Sequence, residues 1–339
     1  MAFKVALARF GGVAVLAAAM LTATQAGAQE TLRWGTSALG STVQVAVQAI
    51  ASIVNEAQTK IKIQEQTTSG PVENMRLLYQ GELEIVQSTE NTAWDAYFGK
   101  GIFAEQGKAD IRGLFTLYPT NVTFAVGLDS GIKSVNDLKG KRLAIGPAGA
   151  GVTFMMEAWL EAYGIAGDTE MLKLGYADGT NALTTGAVDA ALIYIAAGKP
   201  VSFLQELDLG SEVTLLPWDV SGPEYAKLKE ARPEMAAHGV ITAGMTKNLK
   251  EDIEAPVLSS LKYVSGTVSE EATYTLMKSL WDNRDKIKER AALLSWAASD
   301  PRNLLTGLVP QIPIHPGAAR FYKEMGVWDD RFTVGEVTK

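Results

Sequence analysis

The chain has 339 residues, with 31 Lys and Arg against 38 Asp and Glu, a formal net charge of −7 and no cysteine. Lack of cysteine excludes a disulfide framework and thiol chemistry. A mildly acidic chain is poorly suited to a polyanion, so no nucleic-acid partner is expected. The length is enough to bury a large core, usually in two domains.

Residues 1–28 read as an export signal. Lys4 and Arg9 supply the positive start, and Phe10 to Leu21 is an apolar run. It falls short of the roughly 20 residues of a membrane span. Ala26-Gly27-Ala28 is a small-x-small cleavage site, so cleavage after Ala28 and a periplasmic destination are expected. No cysteine follows the apolar run to carry a lipid anchor.

Gln29 to Trp34 predicts a first strand, and Val45, Ala46, Ala49, Ile50, Ile53 and Val54 then recur at helical spacing. Lys60 to Thr67 alternates as a half-buried strand. Ser69-Gly70-Pro71 breaks it and opens a helix, with proline in the first turn where its missing N–H is harmless. Gly81 ends that helix, Glu84 to Ser88 is a strand, and Thr89 to Phe98 a helix.

Ile111 to Val126 is rich in β-branched and aromatic residues and reads as a long extended segment passing to a second lobe. There the first plan is repeated. Arg142-Leu143-Ala144-Ile145-Gly146 leads through a Gly-rich turn to a helix carrying Trp159, Leu160 and Tyr163. A later helix ends at Gly186, followed by Asp189 and the apolar run Ala190 to Ile193, as Gly81 is followed by Glu84 and Ile85-Val86.

Val213 to Pro217 is the expected return crossing, and Gly239 to Met245 a strand rejoining the first lobe. Ser269 caps a helix striped by Tyr274, Met277, Leu280 and Trp281. Pro310 to Pro316 is an ordered turn before a helix through Arg320-Phe321-Tyr322. The order βαβαβ, broken and resumed, predicts an α/β fold of two lobes with a ligand cleft between them. Lobe one is 29–118 plus 214–339, lobe two is 119–213, and hinges are expected near Tyr118 and Leu216.

Two loops stand at equivalent places, each between a strand and a helix. The first is Gly35-Thr36-Ser37-Ala38-Leu39-Gly40-Ser41-Thr42, and the second Gly146-Pro147-Ala148-Gly149-Ala150-Gly151-Val152-Thr153. Such loops offer free backbone N–H groups at the positive end of a helix, which suits a carboxylate. The second lacks the Lys-Ser/Thr ending of a nucleotide-phosphate loop. Catalytic signals are absent. His238 and His315 lack metal-ligand spacing, and there is no HExxH or GxSxG. Glu84 and Asp189 read as solvated acids at strand ends, and His315 as a structural hydrogen-bonder. No catalytic residue, metal or cofactor is assigned.

Three stretches carry a resemblance: Gly70-Pro71-Val72-Glu73-Asn74-Met75-Arg76-Leu77-Leu78, Ser130 to Arg142 and Ile314-His315-Pro316-Gly317-Ala318-Ala319-Arg320-Phe321-Tyr322. With them the mature chain resembles the TAXI-type solute-binding proteins of tripartite ATP-independent periplasmic (TRAP) transporters. The resemblance implies a type II periplasmic-binding fold, a monomer that is not an enzyme, and delivery of a small carboxylate to a sodium-coupled permease. A ligand-presenting partner of a membrane histidine kinase would use the same clamp.

Candidate ligand contacts are Thr36, Ser37, Thr42, Asn74, Gln87 and Ser88 in lobe one, and Gly149, Ala150, Gly151 and Thr153 in lobe two. Several hydroxyls of the family pattern are missing. Val43 and Gln44 stand where it has two tyrosines, Pro71 replaces a serine, and Ala150 and Val152 replace a serine and a threonine. Members of the family favour glutamate-like ligands. A buried ligand group without its partner costs ~1–3 kcal/mol, so glutamate is expected to bind poorly and a less polar organic acid to fit better.

Overall fold

The computed structural model describes residues 29–57 and 59–339. The expected signal at 1–28 lies outside the described residues. The first half begins with β1 (Glu30–Gly35), α1 (Thr42–Glu56), β2 (Ile61–Gln66), α2 (Pro71–Tyr79), β3 (Ile85–Ser88) and α3 (Glu90–Phe98). Each piece follows from its local sequence. Ile61 and Ile63 point inward while Lys62 and Gln64 are exposed, the period of a strand with one wet face. The Ser41 hydroxyl accepts the Gln44 N–H at 3.2 Å and starts α1. Gly70, at φ +128°, makes the bend into α2, a conformation closed to residues with a Cβ.

A long strand, β4 (Ile111–Gly127), then carries the chain to a second copy of the plan: β5 (Arg142–Ala144), α4 (Gly151–Ala162), β6 (Glu170–Leu172), α5 (Tyr176–Thr184) and β7 (Ala190–Ala196). β1 pairs in parallel with β2 and β3, and β5 in parallel with β6 and β7. Beyond these come β8 (Lys199–Pro200), α6 (Ser202–Gly210), β9 (Val213–Leu215), α7 (Pro223–Ala231) and β10 (His238–Ile241). The chain returns along β11 (Ile253–Ser265) and ends in α8 (Glu270–Asp282), α9 (Arg284–Arg290), α10 (Ser295–Ser299) and α11 (Pro316–Glu324).

The sheet order is β2-β1-β3-β11-β4-β7-β5-β6. β11 lies antiparallel beside β3 in the first half, β4 lies antiparallel beside β7 in the second, and the two long strands pair with each other between them. The fold is therefore mixed α/β, with two equivalent parallel units joined by two exchanged long strands.

Buried side chains fall into two main clusters. One gathers Leu32 to Tyr118 with Leu261 to Phe332, the other Val122 to Leu258. The expected return at Val213–Pro217 does not occur. β9 pairs with Ala125–Gly127 of β4, and Leu216, Trp218, Leu228 and Ile241 bury themselves in the second cluster. Trp218 explains why: its Nε1 donates to the Thr123 hydroxyl at 3.1 Å and its ring meets Trp159 edge-on. β10 pairs with β11 rather than with the first half.

The chain passes between clusters at two places, near Pro119 of β4 and near Ser259 of β11, which are register partners. The ladder is irregular between Ser259 and Leu261. Proline in a central strand is tolerated at such irregularities, where a ladder bond is already missing.

Candidate functional site

Arg33 and Arg142 head their units in the same way. The Arg33 backbone N–H and Nε donate to Glu84 Oε2 at 2.8 and 2.9 Å, and its Nη2 reaches the Gly81 carbonyl at 2.7 Å. The Arg142 N–H and Nε donate to Asp189 Oδ2 at 2.8 and 3.1 Å, and its Nη2 reaches the Gly186 carbonyl at 3.0 Å. Glu84 and Asp189 are thus not merely solvated strand-end acids. Each fixes the first strand of its unit to the third, at the opposite end of that third strand from the loops. The Arg142 hydrogen bond holds the Asp189 carboxyl below its ordinary range.

At the loop end the two halves meet by reciprocal contacts. Thr42 opens α1 and Gly151 opens α4. Thr89 follows β3, and Tyr194 occupies the corresponding place after Asp189. A Cβ built on Gly151 would lie 2.5 Å from the Thr89 Oγ1. In the mirror position, the Thr42 side chain lies beside the Tyr194 hydroxyl. Asn91 Nδ2 adds a bond to the Gly151 carbonyl at 3.1 Å, and Arg232 reaches Asp95 at 3.7 Å along the rim.

The sequence-predicted residues are brought to this junction but do different things there. Thr36 is buried, its hydroxyl donating to Glu65 Oε1 at 2.9 Å and to the Gln66 carbonyl at 3.1 Å. Ser37 is half-buried. Asn74 is committed within the first half: Nδ2 donates to the Thr36 and Gln87 carbonyls at 2.8 and 2.9 Å, and Oδ1 accepts from the Thr68 hydroxyl at 2.7 Å. It ties the ends of β1, β2 and β3 together. Gln44, in place of a tyrosine, turns back to accept the Gly40 N–H at 3.3 Å.

Gln87 and Ser88 are buried. Gln87 Nε2 donates to the Ser88 carbonyl at 2.9 Å, and Ser88 Oγ to the Thr89 carbonyl at 3.3 Å. In the second loop, Gly149 is exposed and Ala150 packs on the second cluster. The Thr153 hydroxyl turns into its own loop, donating to the Pro147 carbonyl at 2.8 Å.

Sequence reasoning missed four residues of this junction. Lys262, on β11, is wholly buried; its Nζ donates to Gln87 Oε1 and to the Ser260 hydroxyl, the latter at 3.1 Å. Ser260 also donates to Gln87 Oε1 at 3.1 Å and lies beside the Tyr118 hydroxyl. Tyr194 and Tyr176 cross edge-on at 5.0 Å, and Tyr176 stacks on Phe203 at 5.4 Å. Burial pushes the hydroxyls of Tyr118, Tyr176 and Tyr194 up and the Lys262 amine well down. Tyr194 could have been found by carrying Thr89 through the duplication. Lys262 had no such signal, because its counterpart on the other exchanged strand, Phe124 opposite Leu192, is apolar.

His315 is buried, with its Nε2 3.0 Å from the Val268 carbonyl and its Nδ1 accepting the Gly317 N–H at 3.2 Å. It caps α11 far from the junction. Among the described residues no group of three His, Cys, Asp or Glu is placed to hold a metal ion, and no helix is long and apolar enough to cross a membrane. A separate apolar recess of about 40 Å³, between Ile50, Phe115, Met277 and Trp281, has room for a small apolar group only.

The chain matches the NMT1-like family over residues 34–326 and belongs to that family. Solved structures are similar at a lower level. The periplasmic aliphatic sulphonate binding protein SsuA from Escherichia coli is 16% identical over 87% of this chain and 90% of its own, with a TM-score of 0.45. A putative L-cystine ABC transporter protein from Listeria monocytogenes is 14% identical over 80% and 97%, with a TM-score of 0.43. The substrate binding protein of an amino acid ABC transporter is 15% identical over 78% and 97%, with a TM-score of 0.42.

Proposed function

We propose that this chain is an exported solute receptor, working in the periplasm, whose two lobes close on a small organic acid and present it to a TRAP-type permease. It carries out recognition without bond making. The reading divides the lobes at the long strands, with 29–118 and 261–339 in one and 122–258 in the other.

The observation that carries the proposal is the reciprocal pair of contacts, Thr89 on Gly151 and Tyr194 on Thr42. Two equivalent helix starts each face the other half's strand end, and two strands connect the halves. A body of that kind opens by bending at Pro119 and Ser259, and a ligand touching both halves stabilises the closed form.

Ligand contacts are assigned to Ser37, Thr42, Gln87, Ser88 and the loop 149–151, with Thr36, Asn74 and Thr153 holding the loops in place. The TRAP assignment rests on the resemblance in the sequence. The test is a thermal-shift screen of organic acids and amino acids, followed by small-angle scattering with the best hit. A raised melting temperature with a smaller radius of gyration is expected. Binding with an unchanged radius would refute the clamp, and glutamate as the tightest ligand would refute the specificity.

A further inference from the structure

Lys262 lies on β11 between Gln87 of β3 and Phe115 of β4, with no counter-ion among the described residues. It has no solvent exposure, and its partners are the neutral Gln87 amide oxygen and Ser260 hydroxyl. An ammonium has three donors, so one remains for a further acceptor. Other cations near the junction are already occupied. Arg33 and Arg142 are bound to Glu84 and Asp189 at the far ends of the strands, and Arg232 pairs with Glu234 at 2.6 Å on the rim.

The groups packed around Lys262 are named readily. β3 offers Gln87, and β11 itself offers Ser260 two residues before, on the same face of the strand. β4 offers Phe115 as the register partner, and Tyr118, held protonated by burial, lies beside Ser260. α3 offers Glu90, which is turned to the Ser259 N–H at 2.9 Å and to Tyr263. No carboxylate among them pairs with Lys262, and burial alone lowers its amine. An unpaired buried ammonium is expensive, so burial favours the neutral amine while no anion is present.

We propose that Lys262 is the counter-charge for the ligand carboxylate, so that the cleft takes small monocarboxylic acids and binds one proton with each. The inference rests on the receptor reading above and names its ligand class. The carboxylate enters as an anion, the neutral amine takes a proton from solvent, and the ion pair forms against Gln87 and Ser260 with no net charge buried. One cation balances one carboxylate. A second carboxylate would lack a cation of its own, since Arg33, Arg142 and Arg232 are already paired.

The test is calorimetric titration of the mature chain with sodium formate, pyruvate, benzoate and succinate at pH 8, in phosphate and in Tris. These buffers differ in the heat of giving up a proton. The expected result is binding of at least one monocarboxylate with uptake of one proton and a Kd that rises about tenfold per pH unit while the free amine is neutral. Succinate binds at least tenfold more weakly. Lys262→Met keeps its melting temperature but loses at least tenfold in affinity together with the proton uptake.

A monocarboxylate bound without proton uptake, or equally well by Lys262→Met, overturns the inference and leaves the receptor standing. So does succinate as the tightest of the four. Should Lys262→Met fail to fold, the two-buffer comparison on the unaltered chain still decides. If no acid binds in this set or in the wider screen, the receptor reading falls and this inference with it.

Discussion

Gly151 faces Thr89 across the junction so closely that a Cβ on the glycine would lie 2.5 Å from the threonine Oγ1. A side chain there forces either Thr89 or the two halves to shift apart. The glycine is therefore a condition of closure, a role that loop flexibility alone would not require. Gly151→Val should keep the fold, since both clusters are untouched, and lower ligand affinity at least tenfold. Scattering should give it the larger radius of gyration of the open form even at saturating ligand. Wild-type affinity in Gly151→Val would show that the halves need not meet there.

Glu90 gives a pH signature to the crossing. Its two oxygens accept the Ser259 N–H at 2.9 Å each, and burial raises its carboxyl to about 7. Between its ordinary value of 4.5 and about 7 the folded state holds the proton that the unfolded chain has lost. Stability from Glu90 is thus complete at low pH and declines as pH rises through about 7. Glu90→Gln should be nearly neutral at pH 4.5 and stabilising at pH 8, by about 3 kcal/mol at most. Urea unfolding at the two pH values measures it. A difference that does not grow with pH would mean that the carboxyl is already charged in the fold.

His315 works in the opposite direction. Burial lowers its imidazole from 6.5 to about 4. The unfolded chain takes up the proton first, so the contribution of the neutral ring is present above 6.5 and is lost as pH falls toward 4. His315→Asn keeps a side-chain acceptor for the Gly317 N–H but does not titrate. The unaltered protein should lose about 3 kcal/mol more than this variant on going from pH 7 to pH 4. Parallel stability profiles for the two would argue that His315 is charged in place.

The duplicated ion pairs should have matching energetics. Asp189→Ala removes the acceptor of the Arg142 N–H, and Glu84→Ala that of the Arg33 N–H. The guanidinium groups are part-exposed and re-solvate, so most of the cost is the lost backbone bond, about 1–2 kcal/mol in each case. Chemical unfolding of the two single variants and the double tests this. A loss near zero for either would return that carboxylate to a purely solvated role.

Much of the architecture was legible in the chain because the code was local. Helix starts at Ser41 and Ser269, the proline after Gly70 and the alternation of Ile61 and Ile63 act over a few residues. The repeat made both parallel units readable from Leu32 and Arg142 onward. The sequence placed the two loops before α1 and α4 at equivalent positions, and it is through that equivalence that the site could be sought; that Thr42 and Gly151 are the matching helix starts came from the structure.

What needed the tertiary structure was every choice made between distant segments. β11 contains Pro256 and three serines, yet it is the second crossing because β3 and β4 both leave it an edge to pair with. Trp218 carries the segment after β9 into the second cluster by meeting Trp159 and Thr123, which lie far away in the chain. Asn74 reads as a free polar hand until three loop ends converge on it. Lys262 reads as an ordinary surface lysine. Only its place between β3 and β4 removes it from water and leaves it without a counter-ion among the described residues.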